Sequence, residues 1–238
     1  MVTDRTPSAR VSCIIPVHDG AAFLAQALAS ILHQRGAELD VIVVDDGSSD
    51  ASADIAAGFD GVRVYRQAQA GVAAARNAGV ALARGDFIAF LDADDLWLPG
   101  KISAQLAALD ADPAADYSLT LVRHVAMDGE KAGPLDDGSR LGRLMQCLLV
   151  RRAAFDRVGP FDTGTLTRAD QDWFLRADAL GLRPAIIEKV LVLRRIHGSN
   201  HSLANAGQVI DDFLIIAKRN LDRRRNEGAL RPVRHWST

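Results

Sequence analysis

The chain is poor in cysteine and in net charge. Its 238 residues include two cysteines, and the formal net charge is −2 with a sequence isoelectric point of about 6.3. Cys13 lies inside an apolar run and Cys147 precedes two leucines, so we expect buried thiols rather than a disulfide framework or a thiolate metal site. The small net charge provides no broad attraction for nucleic acid. The sequence therefore predicts no nucleic-acid partner.

Long apolar runs are also absent. Residues 1–10 are polar and lack the apolar core of a signal peptide, and no later stretch approaches the roughly 20 apolar residues of a membrane span. We therefore expect a cytoplasmic protein without an integral membrane segment. Hydrophobic residues make up 48% of the chain, which is typical of a globular enzyme with one domain.

Up to residue 95 the sequence alternates short β-branched runs with alanine-rich segments of helical composition, as in successive βαβ units. The predicted strands lie at residues 11–16, 41–45, 62–66 and 86–91. The predicted helices between them lie at residues 21–34, 51–58 and 72–84. We therefore predict an α/β fold with a Rossmann-like, mainly parallel central sheet and helices on both faces.

Beyond Pro99 the pattern changes to a smaller region of mixed elements, which we expect to hold a second substrate. The predicted helices there lie at 101–109 and 170–179, the strands at 117–125 and 185–195, and a turn rich in glycine and aspartate at 128–138. A final amphipathic helix is predicted at 206–225.

Three carboxylates crowd the end of the predicted fourth strand, where Asp92, Asp94 and Asp95 follow an apolar run. Like charges this close repel one another unless a cation or a set of donors neutralises them. Side chains alternate along a strand, so Asp92 and Asp94 point to the same side and can share one hard divalent ion, Mg²⁺ or Mn²⁺. Helix capping or turn formation explains Asp95 better.

Two further segments supply polar groups to the edge where the carboxyl ends of parallel strands converge. Asp45 and Asp46 end the second strand and can accept hydrogen bonds from a nucleotide base or ribose, whereas residues 48–50 suit capping of the next helix. Gly71 permits a tight entry into a helix that carries Arg76. We expect Arg76 to face either a nucleotide or solvent.

In this order and spacing, the motifs resemble those of the family 2 glycosyltransferases of the GT-A fold. The resemblance covers residues 11–99 densely and resumes at 159–162 and 170–202. It implies a single GT-A domain that transfers a sugar, with inversion, from a nucleoside diphosphate sugar to an acceptor hydroxyl. UDP is the favoured nucleotide, and bacterial cell-surface polysaccharide or glycoconjugate synthesis is the implied context.

The resemblance also implies a nucleotide site and a metal site. Carried over by position, the nucleotide site contains Pro16, Val17, His18, Asp45, Asp46, Arg76, Asp92, Ala93 and Arg195. The metal site, for Mn²⁺ or Mg²⁺, contains Asp92, Asp94 and His197. His18 and Asp19 stand where the family commonly has an aromatic residue and an asparagine, although an imidazole can still stack on a base.

Asp170 matches the aspartate that serves as catalytic base in the family, and Ala169 replaces the glutamate that usually precedes it. Asp170 also suits the N-terminal end of a helix, where a carboxylate caps exposed amides. We expect Asp172 to be an additional charge at that helix end. Trp173 and Phe174 are expected to lie in the core rather than to form a sugar platform.

The resemblance divides the chain into four parts: a flexible N-terminus (1–10), a nucleotide-sugar-binding half (11–99), an acceptor-binding and catalytic half (100–205), and a C-terminal helix and tail (206–238). The acceptor is a glycan, a lipid-linked molecule or a small molecule. Basic residues between 218 and 225 suit either a solvated helix face or peripheral contact with anionic lipid at the inner face of the membrane.

Two other functions remain open from the residues alone. A nucleotide-sugar binding module without turnover is compatible with Ala169. A sugar-1-phosphate nucleotidyltransferase is disfavoured, because no glycine-rich, arginine-containing phosphate loop follows the first strand.

Overall fold

A nine-stranded sheet forms the centre of the structure, a computed structural model that describes residues 9–126, 139–164, 168–198, 216, 218 and 219. The strands are β1 (Arg10–Val17), β2 (Glu38–Asp46), β3 (Val62–Gln67), β4 (Phe87–Phe90), β5 (Leu96–Trp97), β6 (Tyr117–Ala126), β7 (Ser139–Leu141), β8 (Leu148–Arg151) and β9 (Pro184–Ile196). The helices are α1 (Ala21–Leu32), α2 (Ser52–Ala57), α3 (Val72–Leu82), α4 (Lys101–Ala111), α5 (Arg152–Val158) and α6 (Ala169–Ala179), with a short 3-10 helix at Met145–Cys147.

The strand order is β3-β2-β1-β4-β8-β6-β9-β5, and β7 pairs with β6. The first four strands in this order are parallel, β8 is antiparallel to both of its neighbours, and β6 and β9 are parallel again. Only β5, β7 and β8 therefore run against the common direction of the described strands. The predicted α/β fold with a mainly parallel sheet is confirmed.

Helices cover both faces of the sheet. The crossovers through α1 and α2 proceed from β1 towards β3, whereas the crossover through α3 returns from β3 to β4. Because such connections are right-handed, α3 lies on the face opposite to α1 and α2. Gly79 allows α3 to approach the sheet closely, since a Cβ there would lie 2.4 Å from Cγ2 of Ile14. This packing sets the position of the α3 residues that reach the site.

The predicted elements agree with the observed ones to within a few residues, but β5, β7, β8 and α5 were not predicted. β8 is four residues long and α5 follows it without a turn, so neither has the length or the punctuation that reveals an element in sequence. The predicted turn at 128–138 lies outside the described residues. Of the predicted helix at 206–225, the structure describes Ile216, Lys218 and Arg219, which are helical.

The core contains both cysteines and an aromatic cluster, as predicted. Cys13 and Cys147 are buried, unpaired thiols, and burial raises the pKa of each to about 12. Trp173 and Phe174 are 0% and 2% exposed, and both rings contact Tyr117 of β6. These contacts attach α6 firmly to the sheet. No helix in the described ranges is long and apolar enough to cross a membrane.

Lys101 is an unusual core residue, because it is fully buried at the start of α4. Its Nζ donates a hydrogen bond to Oε1 of Gln105 at 2.7 Å and lies 4.1 Å from the centroid of the Trp97 ring. Of the carboxylates that the structure describes, none forms an ion pair with it. Burial lowers the pKa of Lys101 to about 7, so the core disfavours its charged form.

Lys101→Met is expected to stabilise the fold at neutral pH and to flatten its pH dependence. The pKa is about 7 in the folded chain and about 10.5 when unfolded, so the unfolded state binds the proton more tightly between these values. The free energy of unfolding of the wild type therefore rises from pH 7 towards pH 10.5. Below pH 7 the folded state bears the full cost of burying the charged ammonium of Lys101. Each pKa unit corresponds to about 1.4 kcal/mol, so burial of the charged Lys101 lowers the free energy of unfolding by a few kcal/mol at neutral pH.

Urea unfolding at pH 7 and pH 9.5 measures this effect, with Lys189→Met as a control because Lys189 is exposed on β9. The control is expected to keep the wild-type pH dependence. An equal rise in stability between the two pH values for wild type and Lys101→Met would contradict the assignment of Lys101.

Candidate active site

The ends of β1 and β2 lie side by side, and the loops that follow them interlock. Val17 pairs with Asp45 in the sheet, and one residue earlier Pro16 pairs with Val44. In the loop after β1, Asp19 has a φ of 49°, a left-handed conformation that aspartate and asparagine tolerate better than most residues. An aspartate can therefore replace an asparagine here without a change in backbone shape.

Asp19 binds the loop after β2 through its carboxylate. Its Oδ1 accepts hydrogen bonds from the backbone N–H groups of Ser49 at 2.7 Å and Asp50 at 3.3 Å, and its own N–H donates to Oγ of Ser48. The amide of Ser49 is the main cause that lowers the pKa of Asp19. Residues 48–50 were predicted to cap α2, but the N-cap residue is Ala51 and no side-chain hydrogen bond caps the helix there. Asp50 accepts from the N–H of Ser52, the first residue of α2. Ser48 and Ser49 serve the neighbouring loop instead.

Asp45 is completely buried at the end of β2. Its Oδ1 accepts from the backbone N–H of Ser48 at 2.9 Å, and its Oδ2 forms an ion pair with Nε of Arg66 at 2.8 Å. Both oxygens therefore have partners within the protein. Its predicted contact with the nucleotide remains a prediction, and the observed role of the side chain is to shape the loop.

Asp46 organises the loop between β3 and α3. Oδ1 accepts from Nε2 of Gln67 and from the N–H of Ala70, and Oδ2 accepts from the N–H of Gly71, each at 2.8 Å. Gly71 has a φ of 91°, which favours glycine. Asp46 is 4% exposed, so it lies just beneath the surface where a nucleotide was predicted.

His18 is exposed at this surface with a defined tautomer. Its Nδ1 lies 2.9 Å from the carbonyl oxygen of Asp46, and because a carbonyl only accepts, Nδ1 carries the proton. Nε2 is then free to accept from Nε2 of Gln69 at 3.0 Å. Sequence reasoning did not identify Gln69, although its position two residues before Gly71 brings it to the same edge. The exposed imidazole and amide leave a polar surface beside Asp46.

Arg76 of α3 is buried and bridges two carboxylates, so the expectation that it faces solvent is wrong, whereas its predicted contact with the nucleotide remains a prediction. Nη2 donates to Oδ1 of Asp92 at 2.7 Å, and Nη1 donates to Oδ1 of Asp170. The side chain is 4% exposed. Burial alone would lower the pKa of Arg76, but the carboxylates of Asp170 and Asp92 outweigh burial and raise it. Arg76 is therefore a permanent cation between the two carboxylates.

Asp170 lies in the first turn of α6 and faces the sheet edge. Its Oδ2 accepts from the backbone N–H of Met145 at 3.3 Å, and its side chain is 22% exposed. Among the described residues its carboxylate accepts from Arg76 and from Met145, and not from the first backbone amides of α6, so capping does not account for these contacts. Ala169, which stands at the position of the expected glutamate, is buried.

Asp172 lies in the first turn of α6, so the predicted charge at the helix end is confirmed, but the side chain is buried rather than exposed. It is 4% exposed and accepts from Nε of Arg176, one turn later, at 2.7 Å. Arg176 also donates to the carbonyl oxygens of Val158 and Pro160. The pair therefore fixes residues 158–160, at the end of α5 and the start of the following loop.

The same loop is bound to α3 by Asn77, another residue that sequence reasoning missed. Nδ2 of Asn77 donates to the carbonyl oxygen of Phe161 at 2.9 Å, and Oδ1 accepts from the N–H of Phe161 at 2.8 Å. Farther along the loop, Asp162 forms an ion pair with Arg219, one of the basic residues considered for lipid contact. Asn77 follows Arg76 directly, so consecutive residues connect α3 to the second half of the chain.

Asp94 and His197 form the part of the predicted metal site that the structure brings together. Oδ2 of Asp94 lies 3.2 Å from Nε2 of His197, whose ring stacks on Phe23 of α1 with 4.5 Å between centroids. Asp92 is turned towards Arg76 instead. Among the residues that the structure describes, no group of three or more potential ligands surrounds a common point. One carboxylate and one imidazole fit a divalent ion whose remaining ligands come from elsewhere.

Asp95 is buried and closes a turn, because its N–H donates to the carbonyl oxygen of Asp92 at 3.0 Å, so the predicted turn formation is confirmed. The alternative of helix capping is wrong, since the next helix, α4, has Gly100 as its N-cap. Oδ1 of Asp95 accepts from the N–H of Arg195 at 2.9 Å, and Oδ2 accepts from Nε2 of Gln146 at 2.8 Å. Burial, followed by the charges of Asp92 and Asp94, raises the pKa of Asp95 well above its usual range. Crowded carboxylates of this kind are compatible with a cation nearby.

Arg195 is buried beneath the loop that contains Asp92, Asp94 and Asp95, and is not exposed at the sheet edge. It is 2% exposed, its Nε donates to the carbonyl oxygen of Asp94, and its Nη1 donates to Oε1 of Gln26 in α1. Ala93 lies close to Gly20 of the loop after β1, since a Cβ added to Gly20 would be 3.4 Å from Cβ of Ala93. The predicted place of Arg195 in the nucleotide site remains a prediction.

Comparison with known proteins agrees with this geometry. The sequence model of the family described as glycosyl transferase family 2 matches residues 12–179. An uncharacterized glycosyltransferase of Nostoc sp. is 39% identical to this chain, and the match covers 87% of this chain and 76% of the relative. Chondroitin synthase of Pasteurella multocida is 26% identical to this chain, and the match covers 90% of this chain and 23% of the synthase.

Among solved structures, S. aureus TarS 1-349 in complex with UDP-GlcNAc is similar, with a TM-score of 0.68 and 20% sequence identity. The match covers 82% of this chain and 61% of that one. At this identity the likeness shows the GT-A type of fold alone. The chain spans less than two thirds of TarS 1-349 and about a quarter of the chondroitin synthase.

Asn77→Ala is expected to destabilise the fold, because it leaves the backbone N–H and carbonyl of Phe161 without their side-chain partner. An unsatisfied buried polar group costs about 1–3 kcal/mol, measured as the free energy of urea unfolding. Asn77→Asp keeps the acceptor but loses the donor, and should also be destabilised. Gln69→Ala, which truncates an exposed amide, serves as the control and should lie within about 0.5 kcal/mol of wild type. Equal stability of all four proteins would refute the role of Asn77.

Proposed function

Because the chain belongs to glycosyl transferase family 2, we propose that this glycosyltransferase moves a sugar from a UDP-sugar to an acceptor hydroxyl by direct displacement with inversion. The observation that carries this proposal is the position of Asp170. Its partly exposed carboxylate lies at the edge that also holds Asp92 and Asp94, although it comes from the other half of the sequence. A proton acceptor beside a diphosphate site is what displacement by a hydroxyl requires.

The donor is proposed to lie along the ends of β1, β2 and β4. His18 and Gln69 offer exposed polar groups for the nucleotide, above the buried pair Asp45 and Asp46. TarS, which has the same fold, has been solved with UDP-GlcNAc and with UDP, and this supports UDP as the nucleotide.

A divalent metal is proposed to be held by Asp94 and His197, with the diphosphate of the donor among its other ligands. When bound, Mn²⁺ or Mg²⁺ acts as a Lewis acid that stabilises the negative charge on the departing diphosphate. Phe23 and Arg195 keep the two ligands in place, since Phe23 stacks on His197 and Arg195 binds the backbone of Asp94.

Asp170 is proposed to remove the proton of the attacking hydroxyl. The hydroxyl oxygen forms the new bond to the anomeric carbon while the bond from this carbon to the diphosphate oxygen breaks, and the proton passes to the carboxylate. The backbone N–H of Met145 holds Oδ2 of Asp170 in position. Attack from the face opposite to the leaving group inverts the anomeric configuration.

The polysaccharide context is also a proposal. It is supported by the similarity to a chondroitin synthase along 90% of the chain. The competing function, nucleotide-sugar binding without turnover, is favoured by one observation, the buried Ala169 beside Asp170. Turnover measurements distinguish these two functions.

Asp94→Asn is expected to abolish metal-dependent release of nucleoside diphosphate. The assay incubates the protein with a panel of UDP-, GDP- and dTDP-sugars and mixed acceptors, in Mn²⁺, in Mg²⁺ and in EDTA. We expect wild type to release UDP with metal only, and Asp94→Asn to bind Mn²⁺ at least tenfold more weakly in a titration without sugar. Full release in EDTA would contradict the metal site, and binding without release across the panel would favour the binding module.

Asp170→Asn is expected to slow transfer by about 10²–10⁴-fold, because the amide cannot take up the proton. Binding of UDP, measured by calorimetry in Mn²⁺, should stay within about threefold of wild type. Asp178→Asn on the same helix is a matched control, since Asp178 is exposed and pairs with Arg143. Near-normal turnover by Asp170→Asn would exclude it as the base.

A further inference from the structure

Arg76 connects the donor edge to the proposed base through one buried side chain. Its two terminal nitrogens donate to different carboxylates, Asp92 sixteen positions later and Asp170 ninety-four positions later. The guanidinium carbon also lies 5.7 Å from the centroid of the Phe161 ring. Arg76 therefore contacts residues from both halves of the chain.

This arrangement leaves Arg76 little capacity to bind the donor. Both terminal nitrogens are engaged and the side chain is 4% exposed, so a phosphate or base would have to displace Asp92 or Asp170 to reach it. The remaining Nε is buried and makes no hydrogen bond to the part of the chain that the structure describes. The contacts favour a role inside the protein.

We infer that Arg76 is a positioning residue for sugar transfer, which holds the carboxylate of Asp170 in place relative to Asp92 and the donor edge. The inference rests on the proposed function and deepens it. Two nearby carboxylates repel one another, and a planar guanidinium between them both neutralises and orients them. A shift of about 1 Å in a catalytic group can cost about 100-fold in rate, so the bridge affects turnover.

The surroundings of Arg76 make the bridge rigid. The next residue, Asn77, forms two hydrogen bonds to the backbone of Phe161, so this turn of α3 is attached to the loop before α6. Oδ2 of Asp170 is held separately by the backbone N–H of Met145. With Oδ1 bound by Arg76, the orientation of the carboxylate is determined at both oxygens.

Lysine is not expected to replace Arg76 fully. An ammonium group is a compact charge without the fixed fork of a guanidinium, so it cannot hold two carboxylates in the same geometry. Arg76→Lys retains the charge and tests the geometry, whereas Arg76→Met removes both. Arg63→Met is the matched control, because Arg63 pairs with the buried Asp40 at 2.8 Å on the opposite edge of the sheet.

The experiment measures UDP binding by calorimetry in Mn²⁺, and kcat for UDP release from the sugar nucleotide that is active in the panel. We expect Arg76→Met to lower kcat by about 100-fold or more with the Kd for UDP within about threefold of wild type. The kcat of Arg76→Lys should fall between those of wild type and Arg76→Met, and Arg63→Met should keep the wild-type kcat. The double variant Arg76→Met/Asp170→Asn should be no slower than Asp170→Asn alone, because Arg76 acts through Asp170.

Several results would overturn the inference. An unchanged kcat in Arg76→Met, or a Kd for UDP raised more than tenfold with kcat retained, would make Arg76 dispensable or a donor ligand. Multiplicative losses in the double variant would show that Arg76 does not act through Asp170. If Arg76→Met fails to fold, Arg76→Ala with added ethylguanidinium replaces it, and absence of rescue counts against the inference. A wild-type protein that binds UDP but releases none overturns the proposed function as well.

Discussion

Mutual repulsion among the carboxylates at the ends of β2 and β4 is the constraint on which the site depends. Each carboxylate is neutralised in a different way: Asp45 by Arg66, Asp46 by backbone amides and Gln67, and Asp92 by Arg76. Asp95 is buried with a raised pKa. Asp94, next to His197, is the carboxylate for which we propose a metal ion as the further partner.

These neutralising contacts also join the two halves of the chain. Arg76 reaches from α3 to α6, and Asn77 binds the loop before α6. Arg195, near the end of β9, donates to Gln26 of α1, and His197, directly after β9, stacks on Phe23 of the same helix. The proposed donor and acceptor groups therefore depend on the same few interactions, and a change in one half is expected to affect the other.

The buried Lys101 shows that the core itself contains a costly group. Its ammonium has an amide and an aromatic ring as neighbours and no carboxylate among the described residues, and its pKa falls to about 7. It lies at the start of α4, shortly after the acidic loop, where Trp97 covers it. The contacts of Lys101 do not explain why a lysine occupies this position. The main measurable consequence of its burial is the pH dependence of stability.

The sequence by itself determined the α/β alternation, the edge at which the polar groups gather and the family, because these follow from local periodicity and from motifs within short segments. It placed Asp170 on a helix and Asp92 and Asp94 after a strand. It did not reveal β8 or α5, which are too short to show a period. The tertiary structure alone decided which charges are satisfied. Arg76 meets Asp170, and Asp95 meets Arg195, across about a hundred residues of sequence, and no local pattern records which distant side chain will neutralise a buried charge.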